Sequence, residues 1–338
     1  MKRIARSVRQ SLIRLIAASH ENCICDVFIR PSCTKSLMRK VPYVQTSVFV
    51  DDKYPFGGNQ LATFWDATLN KQLTHEMMQG IALELNFSET TFLEEPTVKG
   101  CDSKIRIFTP GSELEFAGHP TLGSSFVMKH KGIVPASQNS AVVQLGIGPI
   151  RVDFQSDNHV RMTQPSPTFS ERVEDTSPFT RALGLDSGDI SDAFPIQVVS
   201  TGFPYVIVPL RNLSAVQKAT PSARLIMDNL KDLSTSEVLI FSTETVHPNN
   251  DVHARMFAPD VGVLEDPATG SAAGPLGAYL ERYSVLKRHT FGKPIQIEQG
   301  YEVRKPSRLI VTVPHEDMEE VFVSGKVRLV AEGTLYLS

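Results

Sequence analysis

An internal echo constrains this chain more than any other feature. Arg106-Ile107-Phe108-Thr109-Pro110 returns as Arg255-Met256-Phe257-Ala258-Pro259, a shift of 149 residues. At the same shift the turn AGHPTLG (117–123) falls beside DPATGSA (266–272). Each unit reads strand, proline stop, acidic loop, glycine-containing turn, small-residue helix. Matched units in this order predict two similar lobes. Each lobe then aims a helix N-terminus at a shared cleft, with 118–121 and 267–271 facing one another. Facing N-termini present backbone N–H groups and positive dipole ends, a setting suited to a small carboxylate.

Around the echo, strand and helix signals alternate, which predicts an α+β chain. YVQTSVFV (43–50) alternates and is β-rich. Thr74 is placed to cap a helix running to Leu85, with Met77, Met78, Ile81, Ala82 and Leu85 on one face, and Asn86 ends it. Strands are expected at 88–93, 104–110, 195–200, 203–210, 237–242 and 252–258. A helix should follow each small-residue turn, the second reaching Tyr283. The chain closes on strands PIQIEQ, LIVTVP and VFVSGKVRLVAEGTLYL. The stretch 165–178 is polar and turn-rich and reads as a boundary. The expected organisation is a basic extension without a fixed fold at 1–41, a first lobe at 42–164 and a second at 165–338. The last strand is free to return to the first lobe. A length of 338 residues is comfortable for two cores.

Charge is unevenly spread. Residues 1–40 carry nine Lys/Arg against two acids, so the remainder holds 25 basic and 35 acidic residues. A body that acidic is a poor nucleic-acid binder, because phosphate neutralisation needs clustered Lys/Arg. Residues 1–20 lack Asp and Glu and place Ile4, Val8, Leu12, Leu15 and Ile16 on one helical face. That pattern fits a mitochondrial transit peptide, a surface-binding helix or an incidental extension. The body is expected to be cytoplasmic, or mitochondrial if the extension targets it. No apolar run is long enough to span a membrane. Cys23, Cys25 and Cys33 cluster near the N-terminus with Cys101 alone in the body, which argues for a reducing compartment and against a disulfide framework.

Three functional side chains flank the turns. Glu89 follows the helix in Asn86-Phe87-Ser88-Glu89, His119 lies between Gly118 and Pro120, and Asp266 precedes Pro267. A desolvated carboxyl at a strand end can exchange protons near neutrality. Glu89 is expected at the cleft mouth, with Phe87 and Phe92 as its apolar neighbours. Each residue also has a plainer role: Glu89 as an exposed carboxylate, His119 as a helix cap, Asp266 as the N-cap of the helix it precedes. Ser271, Gly270 and Gly274 frame the second turn. Gly57-Gly58-Asn59 lacks the spacing and the lysine of a nucleotide loop. No HExxH or other paired ligands occur, so neither cofactor nor metal is expected, and GxSxG is missing.

Together these residues resemble the PhzF family, the phenazine-biosynthesis-like isomerases. The resemblance rests on Phe56-Gly57-Gly58-Asn59-Gln60-Leu61-Ala62, on the unbroken run from Met78 to Phe92, and on Arg106 to Pro110. It continues through FAGHPTLG (116–123), Arg255 to Pro259 and EDPATGSA (265–272). It covers roughly 42–338; Gln60 stands where proline is usual, and the first 40 residues have no counterpart. The resemblance implies a diaminopimelate-epimerase-like fold, with mixed sheets wrapped around a central helix in each lobe and the active site between the lobes, often as a homodimer. It implies that Glu89 shuttles a proton on a small unsaturated or cyclic carboxylic acid. His119 and Asp266 would position the substrate, and Ser271, Gly118, Thr269 and Gly270 would lie where its carboxylate is held. Related racemases oppose two cysteines, one per lobe. Neither turn carries a cysteine here, which leaves single-carboxylate catalysis on one face. The competing expectation is a catalytically idle metabolite-binding or scaffold protein on the same fold.

Overall fold

The repeated pentapeptide becomes two equivalent strands in the computed structural model, which describes residues 39–287 and 291–337. The expectations for residues 1–38 lie outside the described residues. In the first half the strands are β1 (Arg39–Val48), β2 (Asn59–Phe64), β3 (Glu89–Glu94), β4 (Ser103–Phe108), β5 (Glu113–Leu114), β6 (Ser140–Leu145), β7 (Gly148–Phe154) and β8 (His159–Gln164). In the second they are β9 (Thr168–Val173), β10 (Ile196–Ser200), β11 (Pro204–Pro209), β12 (Val238–Ser242), β13 (Val252–Ala258), β14 (Val263–Asp266), β15 (Ile295–Gln299), β16 (Ser307–Thr312) and β17 (Val321–Leu337).

The pairing repeats strand for strand. β2 runs parallel to β3, β3 antiparallel to β4, and β4 pairs with β5 antiparallel and β6 parallel. β11 to β12, β12 to β13, and β13 to β14 and β15 follow the same directions. The fold is therefore α+β with two similar lobes. β1, β2, β3, β4, β6, β7 and β8 close into a ring through β17, which pairs with both β8 and β1. The long last strand also pairs with β16, so it is shared between the two halves. Pairing of 39–42 with 334–337 extends β1 four residues before the alternating pattern at Tyr43. The segment 165–178, expected as turns, carries β9, which among the described residues pairs only with β10. It is an edge strand with mostly exposed side chains, so it lacks the apolar alternation that would reveal it.

The ring needs something to fill it. The helix Gly118–His130 does so, touching β1, β2, β3, β4, β6, β7, β8 and β17. The helix Gly270–Arg282 packs on β10, β11, β16 and β17 in the second lobe, whose sheet stays open at the β9 edge. Both are buried on nearly every side, which explains their small-residue composition. Outside the ring lies the helix His75–Leu85. Thr74 caps it by accepting from the Met77 N–H, and Asn86 closes it at φ 52°, a left-handed conformation asparagine tolerates. Met78, Ile81 and Ala82 press onto Phe64, Phe92 and Phe108.

The echoed arginines perform the same structural work. Arg106 grips Glu113 through Nε at 2.7 Å and Nη2 at 2.8 Å. Arg255 grips Glu265 at 2.9 and 2.8 Å. Each pair ties the central strand to the short strand that ends at the cleft. Arg255 is more deeply buried and also donates to the Val216 and Ala219 carbonyls, at 2.9 and 2.8 Å. Removing a donor strands buried acceptors. Arg255→Met should therefore destabilise by about 1–2 kcal/mol more than Arg106→Met, read by urea denaturation; equal losses would show that the two carbonyls find other partners. No helix of the described residues is long and apolar enough to cross a membrane.

Candidate active site

The start of β3 and the start of the helix Gly118–His130 bring Glu89 and His119 together. Side chains alternate along a strand. Thr91 points into the ring, where its Oγ1 hydrogen-bonds with Ser124 at 2.8 Å. Glu89 shares that face and reaches His119, with Oε2 at 3.3 Å from Nε2. Phe92 lies on the opposite face, stacked on Phe64 at 4.9 Å, and so cannot line the cleft as expected. The apolar wall comes instead from Leu114, Phe116, Phe203, Met256, Val261 and Val263.

Asn59, the first residue of β2, bridges the two lobes. Its Nδ2 lies 3.0 Å from His119 Nδ1, 2.8 Å from Asp266 Oδ1 and 3.0 Å from the Ala268 carbonyl. Two carboxyl or carbonyl acceptors fix Nδ2 as the donor, so His119 Nδ1 accepts. The imidazole proton then sits on Nε2 and points to the Gln60 carbonyl, 3.3 Å away. Burial holds His119 neutral, pushing its pKa down to about 3 against the opposing pull of the Gln60 carbonyl. The contact between His119 and Glu89 is therefore not an ion pair. Glu89 Oε2 is left buried with no hydrogen bond.

Asp266 ends β14 and does not cap the following helix as expected. Thr269 is the N-cap residue, and its hydroxyl donates to Asp266 Oδ2 at 2.6 Å. Three intervening residues put the Asp266 carboxyl beyond the helix's first N–H groups. Gln299 of β15 secures the turn by donating to the Asp266 carbonyl at 2.8 Å and accepting from the Thr269 N–H at 3.2 Å. Likewise, Ala117 is the N-cap of the first-lobe helix and lacks a side-chain cap, so His119 is not capping it. Ser271 Oγ pairs with the Tyr205 hydroxyl at 2.6 Å. The two helix starts touch: a Cβ on Gly118 would lie 2.3 Å from the Ser271 nitrogen.

Glu89 and Asp266 thus share one desolvated cleft. Burial raises Asp266 to about 6, while hydrogen bonds from Thr269, Asn59 and Ser88 pull the other way. Glu89 is raised well above the carboxylate range, first by burial and then by the Asp266 charge. Asp266 has donors and Glu89 Oε2 has none, so the pair's negative charge rests on Asp266 and its proton on Glu89. A raised folded-state pKa means the native state binds the proton more tightly than the unfolded chain. Stability from this group is full below the unfolded value near 3.8 and is lost as pH rises through about 6. In paired denaturation curves from pH 4 to 7.5, wild type should lose stability relative to Asp266→Asn as pH rises. A flat difference would mean that Asp266 titrates as it does in the unfolded chain.

Residues 47–333 match the family described as phenazine biosynthesis-like protein, PhzC-PhzF. The chain belongs to that family. Trans-2,3-dihydro-3-hydroxyanthranilate isomerase of Pseudomonas aeruginosa is 36% identical over 87% of this chain and 99% of its own length. The crystal structure of a Bacillus anthracis phenazine biosynthesis protein of the PhzF family superposes with a TM-score of 0.78 at 27% identity, over 88% of this chain and 99% of that one. A probable proline racemase from Agrobacterium radiobacter shares the fold alone, at a TM-score of 0.60 and 10% identity over 88% of this chain and 93% of that one. The chain is accordingly an enzyme of the isomerase class, on a diaminopimelate-epimerase-like fold.

Within this PhzF-family site, Glu89, Gly118, His119, Asp266, Thr269, Gly270 and Ser271 all line one cleft, and no cysteine joins them. Sequence reasoning missed three further lining or bridging residues: Asn59, Tyr205 and Glu237. Asn59 has a signal in the Phe56 to Ala62 segment, which carries the family resemblance without marking the asparagine as part of the site. Tyr205 and Glu237 open strands that read as core. Among the described residues no group of three or more His, Cys, Asp or Glu could hold a metal ion.

Proposed function

We propose that the chain shifts a proton within a small unsaturated or cyclic carboxylic acid, with Glu89 as the single proton carrier and no cofactor. The observation that carries this reading is the unpartnered Glu89 Oε2, buried 3.3 Å from a neutral His119. A carboxyl that is desolvated and free of hydrogen bonds gives up or takes a proton near neutrality. In one half-step Glu89 passes its proton to one substrate carbon; in the other it removes a proton from a different carbon. The enzyme returns to its starting protonation state.

The substrate carboxylate is assigned to the facing helix starts at Gly118 and Gly270, with Thr269 and Ser271 beside it. Backbone N–H groups there are preorganised for an anion. His119 stays uncharged beside Glu89, its Nε2–H directed to the Gln60 carbonyl, and Asp266 holds the pair's negative charge away from the reacting carbon. The Pseudomonas relative named for a dihydrohydroxyanthranilate supports a ring acid as the substrate class.

The test is solvent isotope uptake. Unsaturated and cyclic carboxylic acids are incubated with the enzyme in D₂O and read by mass spectrometry. At least one should gain deuterium at carbon in an enzyme-dependent manner. A broad panel with no uptake would remove the proton-shift assignment.

A further inference from the structure

Glu237 lies just before β12, the second-lobe counterpart of β3. The echoed phenylalanines pair Phe108 with Thr90 and Phe257 with Val238, which makes Val238 the mate of Thr90, so Glu237 occupies the place of Glu89. It therefore faces the same cleft from the other lobe, and it lines that cleft among apolar residues. Its side chain is 3% exposed, and its Oε1 is buried with no hydrogen-bond partner. Other polar groups on this wall are already engaged: Tyr205 with Ser271, and Thr269 with Asp266.

Asp260, in the turn Pro259–Val261, lies beside the Glu237 carboxyl. Two carboxyls so placed resist ionising together. Burial and the Asp260 contact push Glu237 up to about 10, so it is the protonated partner. Its O–H is then directed to Asp260. Oε1 is left as a carbonyl-type acceptor facing the cleft, and a buried acceptor without a donor carries a free-energy cost that a ligand can relieve.

We propose that Glu237 is a specificity-determining residue: its Oε1 accepts a hydrogen bond from an amino or hydroxyl group on the bound acid. The cleft then prefers donor-bearing carboxylic acids to the same skeletons without the donor. This rests on the proposed function only in taking the ligand to be a carboxylic acid.

The test is calorimetry on the full chain with benzoate and with benzoates carrying one amino or one hydroxyl group at each ring position. Wild type should bind at least one substituted acid about 10-fold or more tighter than benzoate, the scale for satisfying a buried acceptor. Glu237→Met, which keeps the bulk and removes the oxygen, should bring that preference close to unity while leaving benzoate affinity unchanged. Glu237→Gln should retain it, because the amide can donate to Asp260 and still turn its oxygen to the cleft. Melting curves establish that both variants fold. Equal binding of all acids by wild type, no binding of any at millimolar concentration, or a preference that survives in Glu237→Met each overturns the proposal. Deuterium uptake is a separate readout. Its failure alongside a Glu237-dependent preference would remove the proton shift and leave this assignment standing. Uptake alongside a Glu237-independent preference would do the reverse.

Discussion

Glu89→Gln is expected to lower enzyme-dependent deuterium uptake by at least about 10²-fold, within the 10²–10⁴-fold range of general acid–base catalysis. The amide fills the same volume, so the apolar wall and the His119 contact persist. What disappears is the proton. Affinity for a carboxylic acid should change little, because the anion is assigned to the helix starts and not to Glu89. The variant should also lose a buried titrating group whose pKa is raised by burial and by Asp266. Glu89→Asp retains a carboxyl but withdraws it by about one bond length, and a misplacement of about 1 Å can cost 10²-fold. Near-full uptake by Glu89→Gln on an acid that wild type labels would move the proton carrier to Asp266.

Much of this arrangement was legible in the sequence, for identifiable reasons. The repeated Arg-x-Phe-x-Pro marks strands whose arginines each pin an acidic residue bidentately. That geometry restricts both positions in both lobes, so the echo persists. Glycines at the helix starts were legible because only they fit where two backbones touch. Other features left weaker marks. β9 is a polar edge strand, and β2 begins with the residue that bridges the lobes, so neither shows clean alternation. Nearness in sequence puts Phe92 on the wrong side, because three residues along a strand reverse the face. The Asp266 cap failed for a related reason. Spacing placed an acid before a helix, but strand β14 runs to Asp266 and the helix begins at Gly270. Glu237 carried no signal because a single acid before VLIF looks like a strand boundary, and its meaning comes only from the opposite lobe.

Gly118→Ala is the second substitution expected to have a large effect. The added methyl would lie 2.3 Å from the Ser271 nitrogen and 2.4 Å from the Gly270 carbonyl carbon. Both are backbone atoms, so no rotamer change relieves the clash. Gly270 in turn cannot retreat freely, since the Phe49 ring already presses on it, 2.7 Å from where its own Cβ would be. The two helix starts must therefore separate, and with them the N–H groups assigned to the substrate carboxylate. Overpacking of this kind typically costs about 1–3 kcal/mol in stability. Activity should fall further, by about 10²-fold in kcat/KM, because the anion site and Glu89 would no longer be in register. Both KM and kcat should worsen, unlike Glu89→Gln, where the loss falls on turnover. Gly80→Ala provides the contrast. Gly80 lies in the helix His75–Leu85 with no atom near its would-be Cβ. That variant should gain up to about 1 kcal/mol from helix propensity with unchanged kinetics. If Gly118→Ala also retained wild-type kinetics on a labelled acid, the contact between the helix starts would not be what holds the carboxylate. The anion would then have to be placed elsewhere on the cleft wall.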